Sequence, residues 1–216
     1  MITVPDATKK IVERSRYLTE AISKGLINYS SLARYIKPEL EQMLVKPVSE
    51  AAILMALRRL EKELQPKFIP LKIFTSAPDM IVRSNLFEIT VSNSDSLSHC
   101  YTKLLAVHKE FKSSFFTLTK GISETTIICS KDLEDSAKDI LKEEKILSTF
   151  GKLSALTIRL PKEAIETPGT YYFFLKSLAW EGINLIEVVS TYLELTIILE
   201  EKQVHQAFSI LQSLFN

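Results

Sequence analysis

The sequence predicts an α+β protein, an all-helical N-terminal region followed by two copies of a small β-α-β-β-α unit. One observation carries the duplication. Glu124-Thr125-Thr126-Ile127-Ile128 recurs as Glu194-Leu195-Thr196-Ile197-Ile198, an offset of about 70 residues of the kind that marks an internal repeat. In the same register Ala137, Ile140 and Leu141 match Ala207, Ile210 and Leu211; Leu105 matches Leu175, and Phe115-Phe116 matches Leu185-Ile186. A second observation carries the unit's architecture. Leu156, Ile158 and Leu160 alternate with Thr157 and Arg159, the period of a half-buried strand, before the pattern changes to helical spacing. The expected divisions are 1–66 (helical), 67–80 (linker or extra strand), 81–150 (first unit) and 151–216 (second unit).

In the N-terminal region a first helix is expected from Asp6 to Lys24, ended by Gly25. A short helix through Leu32-Ala33-Arg34-Tyr35-Ile36 follows the turn Asn28-Tyr29-Ser30, and Pro38 suits the first position of another. Ser49 caps a longer helix, Glu50 to Leu64. Phe68 to Phe74 and the turn Ser76-Ala77-Pro78-Asp79 should carry a strand or hairpin into the sheets.

The first unit reads as a strand at Leu86–Val91, a helix from Leu97 to Lys112, strands at Phe115–Lys120 and Thr125–Ser130, and a helix Leu133–Leu141 capped by Asp132. A further strand near Lys145–Thr149 completes its sheet. The second unit begins with the strand at Leu156–Leu160. Its helix has Thr167 as N-cap, Pro168 at the first position and Gly182 as the left-handed stop, with Tyr171, Leu175, Leu178 and Ala179 on one face. Strands at Asn184–Thr191 and Leu195–Glu200 precede a last helix carrying Val204, Ala207, Phe208, Leu211 and Phe215.

Composition narrows the function. Of 216 residues, 46% are hydrophobic and 25% charged, and the net charge of +1 is too small for a general polyanion binder. The apolar runs are too short to cross a bilayer and the N-terminus lacks a signal-peptide core, so a cytoplasmic location is expected. Cys100 and Cys129 are isolated and read as packing residues. His99, His108 and His205 are scattered on helical patterns, without a metal-ligand spacing or a nucleophile motif. No catalytic residue, metal or cofactor is expected.

The stretch from Leu153 to Phe215 resembles the second ACT domain of the regulatory half of aspartokinases. The residues that carry this are Thr167-Pro168-Gly169, Gly182-Ile183-Asn184-Leu185, Val188-Val189-Ser190-Thr191 and Glu194-Leu195-Thr196-Ile197, followed by the acidic turn Glu200-Glu201. The first copy departs from that pattern, with Ser92-Asn93-Ser94-Asp95 and Ser113-Ser114 at the corresponding places. Only five glycines are present and no phosphate-cradling loop, so the kinase half is missing from the sequence. The resemblance implies two ferredoxin-like units packed side by side, without enzymatic activity, sensing an amino acid at their seam, and a homodimer.

A zwitterion needs N–H groups for its carboxylate and oxygens for its ammonium. The helix start at Thr167, Gly169 and Thr170 offers the first, and Asn184 opens the neighbouring strand with an amide that does both; Leu185 and Ser190 complete the expected ligand set. Capping alone also explains Thr167-Pro168-Gly169 and Gly182-Ile183-Asn184. Two alternatives stand beside sensing. One is a ligand-free dimerisation module; the other is a transcriptional regulator contacting DNA phosphates through Arg34, Lys46, Arg58 and Arg59, in a region whose basic excess is about four. Against DNA, the first turns of the Ser49 helix are Ala51-Ala52-Ile53-Leu54-Met55, too apolar to read base edges.

Overall fold

The computed structural model describes residues 2–64, 70–110 and 114–215. The chain divides into two compact units, Met1–Ile69 and Pro70–Asn216.

The first unit is helical: α1 (Val4–Arg14), α2 (Arg16–Ser23), α3 (Tyr29–Leu44) and α4 (Glu50–Glu63). Thr3 and Asp6 close a reciprocal capping box at the start of α1. The single helix expected from Asp6 to Lys24 is two, because Ser15 is extended and caps α2 through Leu18 N. The Thr19 hydroxyl donates to Val12 O across that corner at 3.1 Å, joining Ser15 N, which donates to the same carbonyl at 3.0 Å. Pro38 does not start a helix but sits inside α3. The hydrogen bond it forfeits is offset by the buried stripe Leu32, Ala33, Ile36 and Leu40, which runs across it without interruption. Ser49 caps α4 as expected, and Ile53, Leu57 and Leu60 of that helix join Ile11, Val12 and Ile22 in the core.

In the second unit the order β-α-β-β-α occurs twice: β1 (Met80–Ser92), α5 (Leu97–Glu110), β2 (Phe116–Lys120), β3 (Glu124–Ser130) and α6 (Glu134–Ile140), then β4 (Ile146–Arg159), α7 (Thr170–Trp180), β5 (Glu187–Ser190), β6 (Glu194–Glu200) and α8 (Val204–Ser213). The strands form one antiparallel sheet in the order β2-β3-β1-β4-β6-β5. The expected end of α5 at Lys112 and the start of the 67–80 linker lie outside the described residues. Pro70–Ile73 forms a 3-10 turn instead of a strand, and Phe74 behind it stacks edge-on against Phe174 and Phe215 at 5.9 and 5.2 Å.

Two long strands replace the short ones expected, and each serves both copies. The upper half of β1 (Leu86–Ser92) pairs with β3, while its first residues, Met80–Arg83, pair with Ile158–Ala155 of β4. Reciprocally, β4 gives Ile146–Phe150 to β1 and Leu153–Arg159 to β6. A pseudo-twofold axis passes between Leu86 and Leu153, which face each other in register. About it, Met80↔Ile158 maps onto Ile146↔Val91, and the bond Ser92 N→Lys145 O maps onto Arg159 N→Asp79 O, both 2.9 Å. The cross-strand hydroxyl pairs repeat too: Thr90–Thr126 at 3.0 Å and Thr157–Thr196 at 2.9 Å.

Beside the axis both strands turn through left-handed residues, Asn85 (φ 64°) and Lys152 (φ 56°), with register shifts on either side of Leu86. Such bulges let a strand bend from one sheet layer into the next. The bend folds the sheet onto itself around Leu86, Ile128, Leu153, Ala155 and Ile198, on which Phe115 from the β2 side and Val189 from β5 also pack. The other face of the first copy buries Phe87, Ile89, Val91, Ile127 and Cys129 under α5 and α6. A left-handed conformation costs an L-residue with a long side chain about 1–2 kcal/mol, of which glycine's extra backbone entropy returns about half. Lys152→Gly should therefore raise the unfolding midpoint by a few degrees, and Asn85→Gly by less, since asparagine tolerates this region; Lys152→Ala is the control that should not.

Several helix boundaries differ from expectation. Asp132 does not cap α6, because Lys131–Leu133 form a 3-10 turn that runs into the helix, as Glu201–Gln203 do before α8. The buried face of α7 is Thr170, Phe173, Phe174 and Leu178, with Tyr171 and Ala179 outside.

Candidate functional site

The start of α7 is built differently from a Thr-capped helix. Gly169 is the N-cap and is left-handed (φ 86°), with no side-chain cap, and Phe173 N bonds back to its carbonyl at 2.9 Å. Pro168 lies outside the helix. Thr167 lies two residues before the N-cap, its hydroxyl turned back to donate to Glu163 O of the preceding 3-10 turn at 2.7 Å. Thr170 is buried and donates to Thr167 O at 2.9 Å. This end of the helix is thus a hydrogen-bonded, glycine-centred corner.

Asn184 and Leu185 lie at the other end. Gly182 (φ 71°) ends α7 in a left-handed conformation, with Ile183 N returning to Leu178 O at 3.0 Å. Asn184 and Ser190 are exposed and Leu185 is half-buried. The eleven residues of α7 separate the two ends by roughly 16 Å at the rise of an α-helix. The facing pair expected from the sequence is therefore not formed within one chain.

The four basic residues Arg34, Lys46, Arg58 and Arg59 are all exposed on the first unit, Arg34 bonded to Ser31 Oγ at 3.3 Å. The first turns of α4 present Ala51, Ala52 and Met55 to solvent, while Ile53 and Leu57 are buried. Apart from Glu50, those turns offer little that could read base edges.

Two features were not foreseen. A cleft of about 570 Å³ opens beside the bend of β4, lined by Phe150, Lys152, Leu153, Ile186, Glu200 and Lys202 among others. Its floor is the seam between the copies, since Leu153 and Ile186 belong to the cluster there. Lys202 is paired with Glu200 at 2.5 Å on the rim, which leaves Lys152 as the lining cation held by the strained turn. Asn184 and Leu185 run directly into Ile186 and so approach this cleft along the chain.

Behind the seam, Glu88 is 4% exposed and its Oε2 has no hydrogen-bond partner. Burial, with Glu187 adding repulsion, pushes its carboxyl up to about 7. In a flat sheet β1 and β5 would lie about 14 Å apart, three strand spacings. Their coupling follows from the fold of the sheet. Cys129, by contrast, is inert packing, its thiol pushed up to about 12, chiefly by burial.

With this geometry in place, the chain can be set beside known proteins. The second unit has the fold of aspartokinase regulatory domains. The aspartate kinase of Clostridium acetobutylicum superposes with a TM-score of 0.54 at 14% identity over 66% of this chain, and this chain spans 36% of that enzyme. The regulatory subunit of aspartate kinase from Thermus thermophilus, in its ligand-free form, gives a TM-score of 0.51 at 11% identity, over 66% of this chain and 100% of that one. A structure of aspartokinase alpha and beta subunits gives 0.51 at 14% identity, over 65% and 99%. No protein-family model matches the sequence, and no curated protein matches it. Among the described residues no helix is long and apolar enough to cross a membrane.

Proposed function

We propose that this chain is a non-catalytic regulatory protein whose two ACT-like, ferredoxin-like copies sense a small amino acid. The observation that carries the reading is the fold shared with aspartokinase regulatory subunits, over 66% of this chain and 100% of the Thermus thermophilus one. The ligand set is Thr167, Gly169, Thr170, Asn184, Leu185 and Ser190, brought together between two copies of the chain. β5 is an edge strand with one side unpaired, and such edges invite a second strand. Antiparallel pairing of β5 with the β5 of a second copy sets the start of one α7 beside the Asn184 end of the other, because each helix runs opposite to its own β5. The homodimer thereby closes the distance that α7 imposes within one chain.

The test is thermal denaturation of the full chain against each of the twenty amino acids. At a hundredfold excess over Kd a ligand stabilises by about 2.7 kcal/mol, a shift of a few degrees. At least one amino acid should give it, and Asn184→Ala, at an exposed position that leaves the fold intact, should abolish it. A flat panel overturns the reading. No specific observation favours DNA, given the apolar Ala51, Ala52 and Met55 that the first turns of α4 expose.

A further inference from the structure

The pseudo-twofold axis allows the two helix starts to be compared position by position. In the first copy the turn between β1 and α5 contains Ser94 and Ser96, and both hydroxyls donate to one carboxylate, Ser94 to Glu144 Oε2 at 2.6 Å and Ser96 to Glu144 Oε1 at 2.7 Å. Cys100, on the first turn of α5, places Sγ 3.7 Å from the same Oε1. Glu144 reaches this turn from the segment before β4, anchored by Ser92 N→Lys145 O, and is only 9% exposed. The two serines hold its carboxyl below the usual carboxylate range.

The second copy has none of these groups. By the register that maps Ser92 onto Arg159 and Lys145 onto Asp79, Ser94 and Ser96 become Pro161 and Glu163, and Glu144 becomes Pro78. Pro78 thus stands where the first copy has its carboxylate, and the loop before α7 is lengthened to end on the left-handed Gly169.

We propose that Glu144 is a built-in carboxylate that occupies the helix-start position of the first copy, closing it to any external carboxylate and leaving ligand capture to the second copy. The plug stands on the geometry alone. Only the assignment of capture to the second copy rests on the sensing reading above.

Glu144→Ala removes the carboxylate and leaves two serine hydroxyls facing a hole. The variant should unfold several degrees below wild type, and tens of millimolar sodium acetate should restore most of the loss where sodium chloride at equal ionic strength does not. A local readout covers a variant too unstable for that comparison. The Cys100 thiol is raised by burial and then by Glu144, while Cys129 is buried, so an aromatic disulfide reagent reports on Cys100. Its reaction at pH 8 should accelerate in Glu144→Gln and Glu144→Ala, and acetate should slow the alanine variant again. Destabilisation with no acetate effect on either readout would overturn the plug.

Stoichiometry separates the two claims. Titration calorimetry of wild type with the stabilising amino acid should give one ligand per chain. Two per chain would sink the plug and leave sensing intact; no binding at all would sink sensing and leave acetate rescue to decide the plug.

Discussion

Glu88→Gln should make the protein more stable at pH 8 and almost unchanged at pH 4.5. The carboxyl of Glu88 sits in the seam with Oε2 unpartnered, between Ile128 of β3 and Phe150 of β4, and the one charged group pressing on it is Glu187 of β5. Its folded-state value of about 7 lies above the ordinary 4.5, so the folded protein holds a proton that the unfolded chain releases. Stability then falls as pH rises from 4.5 through 7 and is level above that, because the slope follows the protons bound by the unfolded state minus those bound by the folded one. The full shift corresponds to about 3 kcal/mol. Glutamine keeps the shape and has no charge to bury, so urea denaturation of wild type should show the decline and the variant should not. Glu187→Gln should flatten the curve partly, by removing the repulsion while the burial stays. A wild-type curve without slope between pH 5 and 7 would mean that Glu88 ionises freely, and that the seam admits water.

The duplication was legible because it is written in positions that both copies must bury. Thr126 and Thr196, Ala137 and Ala207, and Leu141 and Leu211 are paired by the offset seen in the sequence, and the turns Gly121 N→Glu124 O and Thr191 N→Glu194 O close two matching hairpins. The first strands were harder to align. Leu86 matches Leu153 and Thr90 matches Thr157, three residues short of that offset, because the second copy has a longer loop before a shorter helix. In the helices the 70-residue offset holds, and the buried pair is Leu104 and Phe174, one residue before the matched Leu105, which is exposed, and Leu175, which is half-buried.

Two kinds of information were absent from any local pattern. Within Leu86-Phe87-Glu88-Ile89-Thr90-Val91 the alternation puts Glu88 and Thr90 on the face opposite Phe87, Ile89 and Val91. Both are buried, since the bend at Asn85 and Lys152 folds a second layer over them. That is a tertiary event with no periodicity of its own. The distance within the candidate site has a geometric origin. Thr167–Thr170 and Asn184 were correctly placed at the two ends of one helix, and those ends point apart by the helix's own length. Glu144 was hidden inside a run of solvated-looking charges, Lys142-Glu143-Glu144-Lys145; the signal that could have singled it out was the serine-rich Ser92-Asn93-Ser94-Asp95-Ser96 turn, which needs an acceptor.

The strongest destabilisation is expected at the axis itself. Leu86 and Leu153 are each 1% exposed and face one another where the shared strands cross. Truncating a buried leucine to alanine costs about 2–5 kcal/mol, and the two cavities would merge, so the double variant should lose less than the sum, by about 1 kcal/mol or more. The informative measurement is the fluorescence of Trp180, the chain's single tryptophan, at the end of α7 in the second copy. If each copy folded by itself, Leu86→Ala in the first would leave that signal where it was. Since β1 supplies Met80–Arg83 to the second copy and β4 supplies Ile146–Phe150 to the first, neither sheet is complete without the other's strand. Leu86→Ala should lower the urea midpoint seen by Trp180 nearly as far as Leu153→Ala does, in one transition. An unmoved Trp180 transition would show that the shared strands do not couple the copies, and an effector bound at one could not then be felt at the other through this seam.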